Sequence, residues 1–129
     1  LVSDRIGRTP AFMVMFTIQA AVMFMLGHMD GSTALIIGSA LVGFNFGGNF
    51  ALFPSATADL FGAKNLGANY GWVFTSYGIA GVVGILAGNA AKVMTGSYSM
   101  AFSIAGGLCL LSAVLALVLR KRHPKPAAA

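Results

Sequence analysis

Charged residues are absent from four long stretches of this chain, 9–29, 31–58, 65–91 and 93–119, which are separated by Asp30, by the segment from Asp59 to Lys64, and by Lys92. A helix rises about 1.5 Å per residue, so roughly 20 apolar residues cross a hydrocarbon core about 30 Å thick. Every stretch reaches that length. An ionised side chain at the bilayer centre costs roughly 2.5–3.5 kcal/mol on insertion scales, so transmembrane segments exclude charge. The pattern predicts an all-α membrane protein with four transmembrane helices, near 10–27, 33–53, 69–91 and 98–119. Composition closes off other classes. With 57% hydrophobic and 9% charged residues and a mean hydropathy of +0.83, the chain has too little polar surface for a soluble globule and too little charge for disorder. A single Cys excludes a disulfide framework and a Cys-based metal site.

Local signals set the expected boundaries. Thr9 is a candidate N-cap, with Pro10 at the first helical position. Residues 27–32 read as a tight turn. Pro54 is expected to end or kink the second helix, and 55–68, holding Asp59 and Lys64, reads as a loop with room for one short surface helix. Residues 95–97 form the next turn. The basic run Arg120-Lys121-Arg122-His123-Pro124 stops the last helix and opens a basic tail over 120–129.

Orientation follows from where the bases fall. Four spans put both ends of the chain and the 55–68 segment on one side of the membrane. That side carries Arg5, Arg8, Lys64, Arg120, Lys121, Arg122 and Lys125, and the other carries Lys92. The imbalance places both ends in the cytoplasm, in a cell (inner) membrane. It also accounts for the net charge of +5 without nucleic acid, because a basic cluster after a transmembrane helix anchors it to headgroups.

The spans carry few polar residues. Asn45 and Asn49 are four apart and share a face of the second helix. Asn45 lies near its midpoint, where an unpaired amide is costly; it either bonds another helix or meets solute or water. Asn49 is nearer the cytoplasmic end. Tyr70 and Tyr77, seven apart, share a face of the third helix, and a phenol at Tyr77 can donate to a carboxylate or to a neighbouring helix. Two small-residue stripes, Ser39-Gly43-Gly47 and Ser76-Ala80-Gly84-Gly88, are expected to pack helices closely. Asp, Glu, His and Lys are missing from every span, so a proton relay is not expected here. Met13/Met15 and Met23/Met25 suggest soft metal ligands, but residues two apart point about 200° around a helix and cannot chelate one ion. His28 and Asp30 are the one close acid–base pair, on an outer turn, which makes an enzyme a poor reading. No cofactor or metal is expected.

Two motifs carry a resemblance. Near its start the chain carries Asp4-Arg5-Ile6-Gly7-Arg8, which resembles the D-R-x-G-R loop of the major facilitator superfamily: Gly7 permits the turn, Arg5 and Arg8 hold the cytoplasmic side and Asp4 can pair with an arginine. The second copy of that loop lies between helices 8 and 9 of the superfamily's twelve. Four helices follow here, so the chain looks like helices 9 to 12, the C-terminal part of the second six-helix half, with the preceding helices as its partners. The second stretch is more specific. Gly47-Gly48-Asn49-Phe50-Ala51-Leu52-Phe53-Pro54-Ser55 continues through Thr57-Ala58-Asp59-Leu60-Phe61-Gly62-Ala63-Lys64-Asn65-Leu66-Gly67 and Asn69-Tyr70-Gly71 to Phe74-Thr75-Ser76-Tyr77-Gly78. This resembles the oxalate/formate antiporter family of carboxylate carriers.

The resemblance implies a secondary carrier of small organic anions that works by alternating access in the lipid bilayer. It implies that the second span, as helix 10, lines the central pathway, which favours Asn45 as a contact. Oxalate-carrying members place a lysine in helix 11 within a segment similar to residues 74–78. Here Tyr77 falls at that position, and no base occurs between Tyr70 and Ala91. That departure points to a monocarboxylate, or to a charge met by the other helices. The alternative is a self-contained four-helix protein acting as an oligomeric exporter or as a scaffold subunit. Small exporters of that size use an embedded Glu, and this chain has none.

Overall fold

The computed structural model describes residues 7–29 and 31–122. It contains four helices: α1 (Arg8–Leu26), α2 (Ser32–Phe61), α3 (Leu66–Thr95) and α4 (Ser99–Arg122). All four are long and apolar enough to cross a membrane. At about 1.5 Å per residue, the 30-residue α2 and α3 reach about 45 Å, enough to cross the headgroup layers as well as the hydrocarbon.

Several boundaries differ from the sequence reading. Helix α1 starts at Arg8 with Gly7 at the N-cap, so Thr9 and Pro10 lie inside its first turn. Proline is tolerated there because the first N–H groups of a helix have no intrahelical partner. Pro54 does not end α2, which runs on through it to Phe61. Just after it, Ser55 Oγ donates back to Ala51 O at 3.1 Å and Thr57 Oγ1 donates back to Phe53 O at 2.8 Å. The carbonyl that Pro54 deprives of its helical donor is that of Phe50, four residues earlier, and a membrane helix tolerates such a loss inside a bundle. The expected 55–68 loop therefore shrinks to the few residues between Phe61 and Leu66. Two glycines with positive φ, Gly62 at 80° and Gly96 at 73°, end α2 and α3. A residue with a Cβ would be strained at either position, so each glycine stops its helix cleanly.

The helices form a ring. Each packs on its neighbour in sequence, and α1 closes the circle against α4 in the most extensive of the four pairings. The buried apolar residues are Ala20, Val22 and Leu26 of α1, Leu52 of α2, Ala91 of α3 and Ala113 of α4. Half of them are alanine, because helices in lipid gain from close backbone approach and not from expelling water. The closest approaches use glycines outside the two expected stripes. A Cβ on Gly48 would lie 2.8 Å from Met15 Cε, one on Gly106 would lie 3.0 Å from the Phe24 ring, and one on Gly38 would collide with Leu26. A Cβ added to Gly43, Gly47, Gly84 or Gly88 would meet nothing within 4 Å among the described residues. The stripe contacts expected for them are thus not made among these four helices, because shared periodicity fixes which residues share a face but not what the face meets.

An ion pair ties the start of α1 to the end of α2: Arg8 Nε donates to Asp59 Oδ2 at 2.7 Å. At the opposite end of α3, Lys92 Nζ sits 4.9 Å from the centre of the Tyr98 ring. Helices α2 and α3 are joined by aromatic contacts. The ring of Phe50 lies 5.3 Å from Phe46, 5.7 Å from Phe74 and 5.8 Å from Tyr77. Aromatic pairs contribute about 0.5–1.5 kcal/mol each beyond area burial. Phe50→Ala is therefore expected to destabilise the protein by about 2 kcal/mol, read as a lower unfolding midpoint in detergent. An unchanged midpoint would mean that these rings do not hold α2 to α3.

Candidate functional site

The four helices line a half-open cavity of about 430 Å³ to which all of them contribute. Its aromatic wall comes from α2 and α3, where Phe46, Phe50, Phe74 and Tyr77 are within 5.8 Å of one another in successive pairs. Phe16 and Gln19 of α1 and Cys109 of α4 also line it. The wall is overwhelmingly apolar, so its few polar groups decide what it can recognise.

Those groups follow from helical spacing. Asn49, Tyr70 and Tyr77 line the cavity, as do Ser76 and Ala80 of the α3 stripe. Ser76 Oγ turns back to Val73 O at 2.6 Å, leaving it no proton to donate outward. Tyr70 packs near Phe74, with ring centres 5.8 Å apart. Neither tyrosine hydroxyl has a hydrogen-bond partner among the described residues. A phenol at an apolar wall is then a free donor, suited to an anion.

Asn45 occupies a different place. It is 1% exposed and does not line the cavity. Its Nδ2 donates to Met15 O at 2.7 Å and to Gln19 Oε1 at 2.8 Å. Of the two roles open to it from the sequence, the interhelical hydrogen bond is the one it makes. The amide behind the wall is thereby joined to a second amide, Gln19, that lies on it. Gln19 is not among the residues the sequence singles out for the site, although a signal exists: it is the one carboxamide in the 9–29 stretch. The oxygens Asn45 Oδ1 and Asn49 Oδ1 are buried and have no partner among the described residues. A buried acceptor left unpaired costs roughly 1–3 kcal/mol, so both are places where a donor is favoured.

Of the loop motif, Gly7 and Arg8 are described, and Asp4 and Arg5 lie outside the described residues, as does the tail beyond Arg122. Arg8 pairs with Asp59, 51 positions away. The motif and the end of α2 therefore share one end of the bundle, as four antiparallel spans require.

Comparison with known proteins adds three findings. A family model described as Major Facilitator Superfamily matches residues 1–129. The oxalate:formate antiporter of Oxalobacter formigenes is 32% identical over 128 residues, a match that covers 97% of this chain and 30% of that protein. An uncharacterized MFS-type transporter of Escherichia coli (strain K12), YhjX, is 44% identical over 43 residues, covering 33% of this chain and 11% of that protein. The chain thus spans less than a third of the length of these curated relatives. No solved structure matches it.

Proposed function

The chain belongs to the major facilitator superfamily, and on that premise we propose that it supplies helices 9 to 12 of a secondary carrier for small organic anions. The observation that carries this reading is the cavity: an aromatic wall with unpaired tyrosine hydroxyls and amide groups, and no ionised side chain among its lining residues. Such a wall offers hydrogen-bond donors without a fixed charge. It suits a monocarboxylate, whose single charge two or three donors can satisfy, better than a dianion. The name of the Oxalobacter formigenes relative supports a carboxylate as the solute class. The carrier works by alternating access, with the remaining helices closing the pathway around a midplane site. It lies in the cell membrane with both ends of this stretch in the cytoplasm. A self-contained exporter or scaffold is disfavoured by the match of the family model to the whole chain.

Anion exchange through this site does not require a titrating group in these helices. The test is counterflow in liposomes containing the intact carrier, with radiolabelled formate or oxalate outside and the unlabelled anion inside. Formate is expected to exchange and oxalate to exchange more slowly. Tyr77→Phe is expected to lower formate exchange about tenfold, the loss of one charge-assisted hydrogen bond, without lowering the amount of protein. Faster exchange of oxalate than formate would overturn the monocarboxylate reading, and exchange of neither would overturn the carboxylate reading.

A further inference from the structure

We infer that the preferred solute is a monocarboxylate with an apolar body, an aliphatic chain of about four to six carbons or a phenyl ring, rather than one as small as formate; the inference rests on the carrier reading and names its solute class. The argument weighs the apolar wall against the polar groups on it. Helices α2 and α3 present four rings to the cavity, Phe46, Phe50, Phe74 and Tyr77. Each of these residues is between 40% and 49% exposed, so nearly half of it has nothing from the described residues against it. The rings form one surface. Phe74 lies 5.7 Å from Phe50 and 5.8 Å from Tyr77, and Tyr77 lies 5.7 Å from Phe46. Phe50 stands nearly perpendicular to Phe74 and to Tyr77, at 83° and 86°. Rings that meet at right angles make a corner, and a chain or a phenyl group laid in it gains apolar contact on two sides.

The donors on this wall are spaced by apolar surface. Tyr70 and Tyr77 are seven residues apart, about 10.5 Å along the axis of α3, and Phe74 lies between them, 5.8 Å from each ring. Neither phenol has a hydrogen-bond partner among the described residues, and no residue lining the cavity is ionised. One carboxylate is met by a phenol. Whatever continues past it runs along phenylalanine rings and not toward a second charge. Formate has nothing to lay on those rings and leaves them against water. Each methylene that covers them removes apolar surface from water and tightens binding about threefold. A second carboxylate at the far end of the solute would lose its hydration against the rings without gaining a partner, which outweighs what the methylenes return.

The experiment measures how unlabelled acids compete with labelled formate in counterflow by the intact carrier in liposomes at neutral pH, with carrier-free liposomes as the blank. The competitors are acetate, butyrate, hexanoate, phenylacetate and adipate, the last being the hexanoate chain with a carboxylate at both ends. The inhibition constant is expected to fall about threefold per added methylene from acetate to hexanoate. Phenylacetate is expected to match hexanoate within about threefold, and adipate to bind at least about tenfold more weakly than hexanoate. Phe74→Ala is expected to cut the ratio of the acetate and hexanoate constants about tenfold, and that ratio does not depend on the amount of carrier. Constants that stay within about twofold from acetate to hexanoate, or that rise, would overturn the inference and leave the carrier reading intact; the rings would then be covered by helices outside this stretch. Adipate as potent as hexanoate would overturn it as well. So would a chain-length trend unchanged in Phe74→Ala, because length would then act through the lipid and not through the rings. Should Phe74→Ala not assemble, the series on the parent carrier decides alone. Absence of formate counterflow in the parent would overturn the carrier reading and the inference with it.

Discussion

Replacing Asn45 by aspartate is expected to prevent the carrier from assembling at neutral pH. The native amide donates twice, to Met15 O at 2.7 Å and to Gln19 Oε1 at 2.8 Å, and is 1% exposed. A carboxylate there would set negative oxygens against two oxygens and turn both bonds into repulsions. A charge at mid-membrane depth adds roughly 2.5–3.5 kcal/mol. Interhelical hydrogen bonds in membranes contribute about 0.6 kcal/mol each on average, so their loss is the smaller part. The sum, about 4–5 kcal/mol, is a large share of a net stability that is typically about 5–15 kcal/mol.

The sign of its pH dependence follows from the same geometry. Once protonated, the carboxyl of the Asn45→Asp variant has one O–H and can restore one of the two bonds. The folded state therefore holds the proton more tightly than the unfolded state does, and folding takes up a proton. Stability of Asn45→Asp is expected to rise as pH falls, with no such trend in Asn45→Ala. The check is the monodisperse fraction and unfolding midpoint of the intact carrier in detergent, compared between mildly acidic and mildly alkaline buffer. Parent-like behaviour of Asn45→Asp in the alkaline buffer would show that position 45 is not the dry, donor-only site described.

How far the sequence alone leads is best seen at particular residues. The four spans are legible because charge exclusion from lipid acts on each segment separately and needs no knowledge of its neighbours. The extent of α2 is not. Pro54 and the polar stretch after it carry the marks of a helix end in water, yet the hydroxyls of Ser55 and Thr57 turn inward to the helix's own carbonyls, and Asp59 is neutralised by Arg8 from another helix. The candidate site is half legible. Spacing places Tyr70 and Tyr77 on one face of α3 and Asn49 on the face of α2 that Asn45 shares, and Asn49, Tyr70 and Tyr77 do line one cavity. Asn45 is identifiable as a costly polar residue, but its partner is not, because the register of α1 against α2 is set by contacts such as Gly48 against Met15 and Gly38 against Leu26. Without that register, Gln19 is one more polar residue on a hydrophobic helix. With it, Gln19 is the group to which Asn45 points.

Selectivity between anions offers the largest expected functional effect. Tyr77→Lys is expected to shift the carrier toward oxalate relative to formate by about 100-fold or more. Tyr77 lines the cavity beside Phe46, Phe50 and Phe74, so a lysine there would put its ammonium against apolar rings and whatever solute the site holds. Two unit charges about 4 Å apart interact by about 1 kcal/mol in bulk water and about 4 kcal/mol at an effective dielectric of 20. A dianion feels up to about twice the attraction of a monoanion, and the cost of burying the lysine itself is common to both and cancels in the ratio. What does not cancel is the larger desolvation of oxalate, which offsets part of the gain and holds the expected shift to about two to three powers of ten. Absolute rates are expected to fall, since the buried ammonium resists release of the anion it holds. The ratio of kcat/KM for the two labelled anions in liposomes measures the effect independently of the amount of carrier. A ratio that stays within about threefold of the parent would remove Tyr77 from the solute's surroundings. The anion would then be met by groups on the other helices, and the wall of aromatic rings would be a packing surface for them.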